Sequence, residues 1–469
     1  SPDRPVSPHL TILLLYAASL MAIGLWVGRR VQDSSDFFVA GRRLGPGLIF
    51  ATLLAANLGA GTTVNAAGLA YRDGLSAWWW VGSAGIGSMA LAFWVGPRLW
   101  EIAAARNLHT VGDFLEHRYG REVRAMIASL LWVGSLGILA AQLIAMGFVL
   151  NAVTGLDRWV GSVIGGIVVT VYFTAGGLLT SVWVNAVQLV VLVLGFIVVF
   201  PMILASVGGL PQVIAGTRDI EGFWSFWTGG ESGWFYLAML GPSFIVSPGI
   251  LQRVYAARDD RAVRLGVGLN GLALLVFAVV FTLLGMIARM LVPDLPDQNL
   301  ALPTLLLESL PPLVGALGLA ALFSAEVSSA DAILFMLATS LSRDLYRRFA
   351  RPDANDAQVV RVARVAAIVG GTLGTAIAIF SDSIVDALSI FYTLLAVSLF
   401  VPVIVGLYIR RVRTPEAIAS IAAGVAVVAV DQITAGSEGV AWLTPAMLGL
   451  AAALTATLAV TAARRSGVA

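Results

Sequence analysis

Apolar residues run along this chain in stretches of about twenty, separated by short polar segments. The first stretch, LTILLLYAASLMAIGLWVG, is followed directly by Arg29 and Arg30. A helix needs roughly 20 apolar residues to cross a bilayer core of about 30 Å, so each long stretch predicts a transmembrane helix. On that scale we predict thirteen spans, at residues 10–28, 46–71, 76–100, 123–151, 157–176, 179–208, 233–256, 261–291, 310–345, 358–381, 384–410, 415–434 and 441–464.

Composition supports the same class. Hydrophobic residues make up 58% of the chain and charged residues only 12%, with a mean hydropathy of +0.89; soluble domains are about a quarter charged. The chain has no cysteine and only three histidines, which argues against a disulfide framework, a zinc site and a histidine- or cysteine-based catalytic set. We therefore expect an all-α integral membrane protein that lies in the lipid bilayer, is not an enzyme and binds no nucleic acid.

The distribution of basic residues predicts how the chain is oriented. With the N-terminus outside, 24 of the 29 basic residues are counted to inside loops, including Arg253 near the inner end of the seventh span. Cytoplasmic loops carry an excess of arginine and lysine. We expect a multi-pass protein of the cell (inner) membrane with its C-terminus in the cytoplasm. The tail after Arg465 is only SGVA, which disfavours a sensor with a fused signalling domain.

Two segments outside the spans carry local signals. In the inside loop 101–122, Thr110 and Asp113 are spaced to cap a short helix. In the long outside loop 209–232, Phe223, Trp224 and Phe226 predict a helix that lies along the membrane interface.

Two spans contain residues that interrupt helices. The second span carries Gly59 and Gly61 among small polar residues, and the seventh carries Gly241-Pro242 and Pro248-Gly249. In transporters, interrupted helices at matching positions of two halves mark the binding site. We expect a single transporter domain over residues 1–469, with five-helix repeats at 46–208 and 233–410 and peripheral helices at 10–28, 415–434 and 441–464. The alternative is that these glycines serve only close helix packing.

The ninth span holds the clearest group of chemically active residues, in FSAEVSSADAILF. Ser328 and Ser329 offer hydroxyl oxygens, Asp331 shares a helical face with Ser328, and Ala325 lies one turn earlier. Such oxygens suit a dehydrated sodium ion. The alternative is that the serines bond back to the preceding turn, but an acid inside a membrane span favours a functional role.

The chain resembles the sodium:solute symporter family. The matching stretches, in order, are SDFFVAGRRLG, GAGTTVNAAGLAYRDGLSAWWW, TVGDFLEHRYG, YFTAGGLLTSVWVNAVQ, SPGILQRVYAARDDRAVR and FSAEVSSADAILFMLATSLSRDLY. The resemblance implies a LeuT-like core of two inverted five-helix repeats, with one helix before it and two after it. It also implies sodium-coupled symport of a small organic solute by alternating access.

Carried over residue by residue, the resemblance implies a sodium site made by backbone carbonyls and hydroxyls of Ala55, Leu58, Ala325, Ser328 and Ser329. Some members of the family have a second sodium site with an aspartate where this chain has Asn185. Here Asp331 stands where those members have a serine. Our hypothesis is that Asn185 and Asp331 hold a second cation; the alternative is one sodium, with Asp331 hydrogen-bonded or titrating.

The resemblance places the solute between spans 2, 3, 4, 7 and 11. The candidate residues there are Asn57, Thr62, Thr63, Trp79, Trp80, Ser83, Gln142, Ser243, Phe244, Ser247 and Tyr392. Since we expect no arginine or lysine at mid-depth in these spans, an uncharged, zwitterionic or monocarboxylate solute fits best, and the aromatic residues would also suit a quaternary amine. A proton-coupled carrier or exchanger that uses Glu326 and Asp331 remains the alternative function.

Overall fold

The computed structural model describes residues 8–28, 44–381, 383–434 and 443–465, without the side chains of 175–183 and 186. Almost all of it is helical. The helices are α1 Pro8–Gly28, α2 Pro46–Asn57, α3 Val64–Asp73, α4 Trp78–Ala90, α5 Gly96–Arg106, α6 Val111–Tyr119, α7 Arg121–Thr154, α8 Arg158–Ser206, α9 Leu210–Thr217, α10 Tyr236–Val246, α11 Pro248–Tyr255, α12 Asp260–Leu291, α13 Ala301–Glu308, α14 Pro312–Thr339, α15 Asp356–Phe380, α16 Ile384–Leu395, α17 Val401–Tyr408, α18 Thr414–Thr434 and α19 Pro445–Arg465.

Shorter elements connect these helices. Two strands, β1 Thr228–Gly229 and β2 Ser232–Gly233, form an antiparallel hairpin. Turns of 3₁₀ helix lie at Gly74–Ala77 and Gln298–Leu300, and π-helical turns lie at Leu91–Val95, Ser340–Ala350 and Ala396–Phe400. The π-helical turns continue α4, α14 and α16 without a break, so these helices keep the length that their spans predict.

The membrane class is confirmed. Within the described ranges, ten helical segments are long and apolar enough to cross a bilayer, and Pro46–Asn57 and Arg158–Thr174 are shorter apolar helices. The total of thirteen spans stays a prediction. We expected one span to end at residue 176 and the next to begin at residue 179. This is wrong, because the backbone is helical throughout α8. Adjacent glycines weaken a helix there, but no proline removes a hydrogen bond to end it.

Both predicted interruptions are present. The second span divides into α2 and α3, with residues 58–63 non-helical between them. The seventh divides into α10 and α11, with Ser247 extended at φ −53° and ψ 122° and Pro248 opening the second half. Proline at the first position of α11 costs no hydrogen bond there, but it cannot continue the N–H ladder of α10.

The two loop predictions have different outcomes. Thr110 and Asp113 form a reciprocal capping box that begins α6, as expected. The prediction of an interfacial helix at Phe223, Trp224 and Phe226 is wrong. The only described helix of that loop is α9, which ends at Thr217. Phe226 instead packs against the rings of Trp78 and Trp79, with centroids 5.2 and 5.3 Å away. The contact buries aromatic area against protein, where a helix on the membrane would leave it against lipid.

Small residues let the central helices approach closely. A Cβ at Gly285 of α12 would lie on the backbone of Ala67 in α3, and one at Gly87 of α4 would lie on Gly241 of α10. Such contacts are typical of packing between membrane helices. The helix α14 packs against α7 and α8 and also contacts α2, which brings the serines of the ninth predicted span to the interruption of the second.

Candidate functional site

The segment between α2 and α3 diverts two backbone N–H groups from the helical ladder. Gly59 N–H donates to Oγ1 of Thr62 at 2.8 Å, and Ala60 N–H donates to Oε1 of Gln142 on α7 at 2.8 Å. In an unbroken helix both groups would donate to the carbonyls four residues earlier. Those two carbonyls therefore lose their helical donors at a buried position, where a backbone oxygen needs another partner.

The carbonyls released in this way belong to Ala55 and Ala56, and both meet serine hydroxyls of α14. Ser328 Oγ lies 2.7 Å from Ala55 O and 3.1 Å from Ala325 O. Ser329 Oγ donates to Ala56 O at 3.0 Å. Five oxygens from two helices thus converge at one buried place. Hydroxyl and freed carbonyl oxygens are the ligands by which discontinuous membrane helices coordinate sodium.

The converging group differs by one residue from the predicted one. The structure brings Ala55, Ala325, Ser328 and Ser329 together and adds Ala56. Leu58, which was also predicted, is buried at the end of α2, where its N–H donates to Leu54 O at 3.0 Å and its own carbonyl begins the non-helical segment.

Gly59 lies between the two sides of this site. A Cβ built there would collide with the Ser329 hydroxyl and would approach Gln142 Oε1 to 2.6 Å. Only a residue without a side chain allows α7 and α14 to close on the interruption at the same point.

A buried carboxylate adjoins the same segment. Glu326 is fully buried, and its Oε1 lies 2.7 Å from Thr63 Oγ1, which also lies 2.9 Å from Gly59 O. Oε2 of Glu326 has no hydrogen-bond donor among the described residues. Thr63 thus points toward Glu326 rather than toward a solute.

The two residues of the hypothetical second cation site belong to helices that pack together. Asp331 is fully buried on α14, and Asn185 is half-buried on α8. Tyr172, also fully buried on α8, interacts with Asp331. Asp331 lies within one turn of the serine pair along α14.

A cavity of about 90 Å³ adjoins the serine site. It has room for several water molecules or a small solute. Its wall combines Asn57, Thr62, Gln142, Ser247 and Ser329 with apolar and aromatic side chains. Seven of the predicted solute residues line it: Asn57, Thr62, Trp80, Gln142, Phe244, Ser247 and Tyr392.

The other four predicted solute residues do not line this cavity. Trp79 donates from Nε1 to Phe226 O at 2.8 Å and belongs to the aromatic cover. Ser243 Oγ lies 2.6 Å from both Met239 O and Tyr392 O, so it ties α10 to α16. Ser83 is fully buried away from the cavity, and Thr63 faces Glu326 as described.

Sequence reasoning missed a cation in the wall. Arg253 lies within α11 and lines the cavity, so placing it in an inside loop was wrong. Its Nη1 donates to Gly249 O, one turn earlier, at 2.5 Å. A count of apolar residues could not reveal this, because the break at Pro248 redirects α11. The only signal in the sequence was that Arg253 follows Pro248 by five residues.

A second cavity continues beyond the first at Met336, whose side chain lines both. A network of ion pairs borders it. Arg124 of α7 contacts Asp113 and Glu116 of α6 at 2.9 and 2.8 Å and Asp344 at 2.5 Å. Arg348 pairs with the same Glu116.

Charge determines the protonation of Glu116 in this network. Partial burial alone would raise the pKa of Glu116, but hydrogen bonds and attraction from Arg348 and Arg124 together hold it below its usual value. At neutral pH the network is therefore fully ionised at this residue, and it joins α6, α7 and the end of α14.

Comparison with known proteins agrees with the architecture. Residues 37–424 match the model of a family described as the sodium:solute symporter family. The human sodium/iodide cotransporter is 28% identical over an alignment of 442 positions that covers 86% of this chain and 66% of that protein. The Escherichia coli sodium/pantothenate symporter is 26% identical over an alignment of 433 positions that covers 88% of each chain. A solved structure of a Na⁺-coupled sialic acid symporter, in a substrate-bound outward-open state, superposes with a TM-score of 0.82 over 97% of both chains at 18% identity.

Proposed function

Since this chain belongs to the sodium:solute symporter family, we propose that it carries a small organic solute across the membrane with sodium bound between α2 and α14. Members of this family are secondary transporters and not enzymes, and the fold is the LeuT-like one of the sialic acid symporter. The observation that carries the proposal is the release of the Ala55 and Ala56 carbonyls directly opposite Ser328 and Ser329.

Sodium binding at this place would couple the two repeats physically. The ion would replace two hydroxyl–carbonyl contacts with ligand bonds from both helices at once. It would therefore favour the arrangement in which α2 and α14 lie together. The cavity shares Ser329 with the cation site, so a bound sodium changes the wall that the solute meets, and by linkage the solute raises sodium affinity equally.

The energy for uphill transport comes from the membrane potential as well as the sodium gradient. One sodium entering down 100 mV gains about 2.3 kcal/mol before any concentration term. That direction requires the predicted orientation, with the N-terminus outside the cell membrane. The second cavity, bordered by the Arg124 network, is then the exit to the cytoplasm.

Thermal unfolding of the purified protein in sodium, potassium or choline chloride at equal ionic strength tests the proposal. Sodium at 100 times its dissociation constant stabilises by about 2.7 kcal/mol, so a rise in melting temperature in sodium alone is expected. Equal melting temperatures in the three salts would contradict it. Uptake into vesicles that continues without sodium but collapses with a protonophore would support the proton-coupled alternative.

We propose Asn185 and Asp331 as a second cation site. The support is that a fully buried carboxylate on α14 faces the helix that carries an amide and Tyr172. The Asp331→Asn variant in vesicles is expected to lower the ratio of sodium to solute and the Hill slope for sodium. An unchanged ratio and slope would remove the second site and leave the first intact.

A further inference from the structure

The cavity next to the sodium site has a wall with one formal charge, and that charge is positive. Among the described residues that line it, the only ionisable group charged at neutral pH is the guanidinium of Arg253. No aspartate or glutamate of the described ranges contributes to the wall. Arg253 makes no ion pair within the described ranges, whereas nine other arginines there pair with an aspartate or a glutamate.

The position of the guanidinium is set by its own helix. Arg253 donates to Gly249 O at 2.5 Å, so the side chain lies back along α11 toward the N-terminal end of that helix. Ser247 and Gly249, at that end, line the same cavity. The positive end of the helix dipole therefore adds to the charge of Arg253 instead of opposing it.

An arginine in a low-dielectric wall is costly unless an anion or several acceptors answer its charge. Here one backbone carbonyl takes one of its five N–H groups. The remaining donors form a planar fork that matches a carboxylate. Sodium bound nearby at Ser329 would add a second positive charge beside the same cavity.

The rest of the wall suits the apolar body of such a solute. The ring of Phe244 lies 5.8 Å from that of Tyr392, and Trp80 and Phe391 line the same space. These rings offer apolar area within the cavity, and Gln142 and Asn57 supply a few polar contacts.

We propose that the solute is a small organic monoanion, and that Arg253 binds its carboxylate. This deepens the proposed function and rests on it, since it assigns the solute class of the same cavity. It also removes the quaternary amine from the expected solutes, because two cations beside the cavity repel a third. Arg253 thus acts as the residue that determines specificity for charge.

Matched pairs of solutes test this directly. Benzoate and benzamide, nicotinate and nicotinamide, and propionate and propionamide each differ in charge but hardly in shape. In sodium, melting temperature and calorimetric titration are expected to show binding of at least one carboxylate with little response to its amide. Arg253→Gln is expected to weaken that carboxylate about tenfold or more, while Arg253→Lys retains part of the affinity.

The absence of cysteine allows a second readout that needs no bound solute. A single cysteine placed at Ala332, which lines the cavity, is labelled with an anionic and a cationic methanethiosulfonate. The ratio of the anionic to the cationic rate is expected to fall about threefold when Arg253→Gln is added. Arg258→Gln, whose exposed side chain pairs with Asp259 outside the cavity, serves as the control and should leave the ratio unchanged.

The outcomes separate this inference from the proposed function. Amides that bind as well as carboxylates, no carboxylate that binds in sodium, or a labelling ratio that Arg253→Gln leaves unaltered would each overturn the inference. If sodium still stabilises the protein selectively in that case, the sodium symport proposal stands. Loss of sodium selectivity in the wild-type protein would overturn the proposed function first.

Discussion

At the scale of single residues, the site depends on where hydrogen-bond donors go. Thr62 and Gln142 each take one N–H of the non-helical segment, and this frees the two carbonyls that meet Ser328 and Ser329. The polar residues of the second predicted span therefore have different roles. Some stabilise the interruption, and others, such as Asn57, line the cavity.

The Thr63 hydroxyl is expected to matter through Glu326. Thr63→Val removes the donor 2.7 Å from the buried Oε1, and an unsatisfied buried charged or polar group costs about 1–3 kcal/mol. Chemical unfolding in detergent is expected to show a loss of this size, with Thr63→Ser close to wild type. A valine variant as stable as the serine variant would show that the contact does not stabilise the fold.

At the scale of elements, one glycine controls how closely three helices meet. Gly59→Ala would push its Cβ against Ser329 and Gln142, so sodium-dependent stabilisation should be lost. Gly47→Ala in the same α2 is the matched control, because a Cβ there meets nothing within 4 Å, and it should retain the sodium response. Equal responses of the two variants would mean that the interruption tolerates the displacement.

The sequence predicted the elements well where composition or local chemistry decides them. Proline and glycine were enough to place both interruptions, and the capping residues of α6 were enough to begin that helix. The failures came from tertiary contacts. The backbone of α8 continues where a helix end was expected, Phe226 packs on Trp78 and Trp79, and Arg253 turns into the cavity. Each of these three features depends on contacts with a segment that is distant along the chain, and local sequence patterns do not reveal such contacts.

The same limit applies to the solute residues. Trp79 and Trp80 are adjacent and chemically identical, yet one lines the cavity and the other donates to Phe226 O. Their positions differ by about 100° around the helix. The choice between them required the positions of α10 and of the loop after α9.

At the scale of the whole molecule, charge joins distant parts of the chain beside the second cavity. Glu116 of α6 accepts from Arg124 of α7 and from Arg348 beyond α14. Opening that side for solute release must separate some of these pairs. The network is therefore expected to favour the closed arrangement of α6, α7 and α14 at this end.

Acid titration tests that expectation. Because the folded pKa of Glu116 lies below its usual value, its contribution is fully present above the unfolded value of about 4.3 and is lost as pH falls through the folded value. Glu116→Gln should lower the melting temperature at pH 7 and at pH 5 alike, and the difference from wild type should shrink below about pH 4. Glu122→Gln is the control for a nearby exposed carboxylate, and a Glu116 effect no larger than this control would contradict the network's role.

The account as a whole depends on an alkali cation bound by α2 and α14. Equilibrium binding of radioactive sodium to the purified protein, measured by scintillation proximity, tests this most directly. Wild type should bind sodium in a way that excess unlabelled sodium displaces and potassium does not. Ser328→Ala should weaken binding about tenfold or more, whereas Ser342→Ala, which removes a hydroxyl that donates to Ala338 O of its own turn, should bind like wild type. Sodium binding that survives Ser328→Ala undiminished would contradict the account.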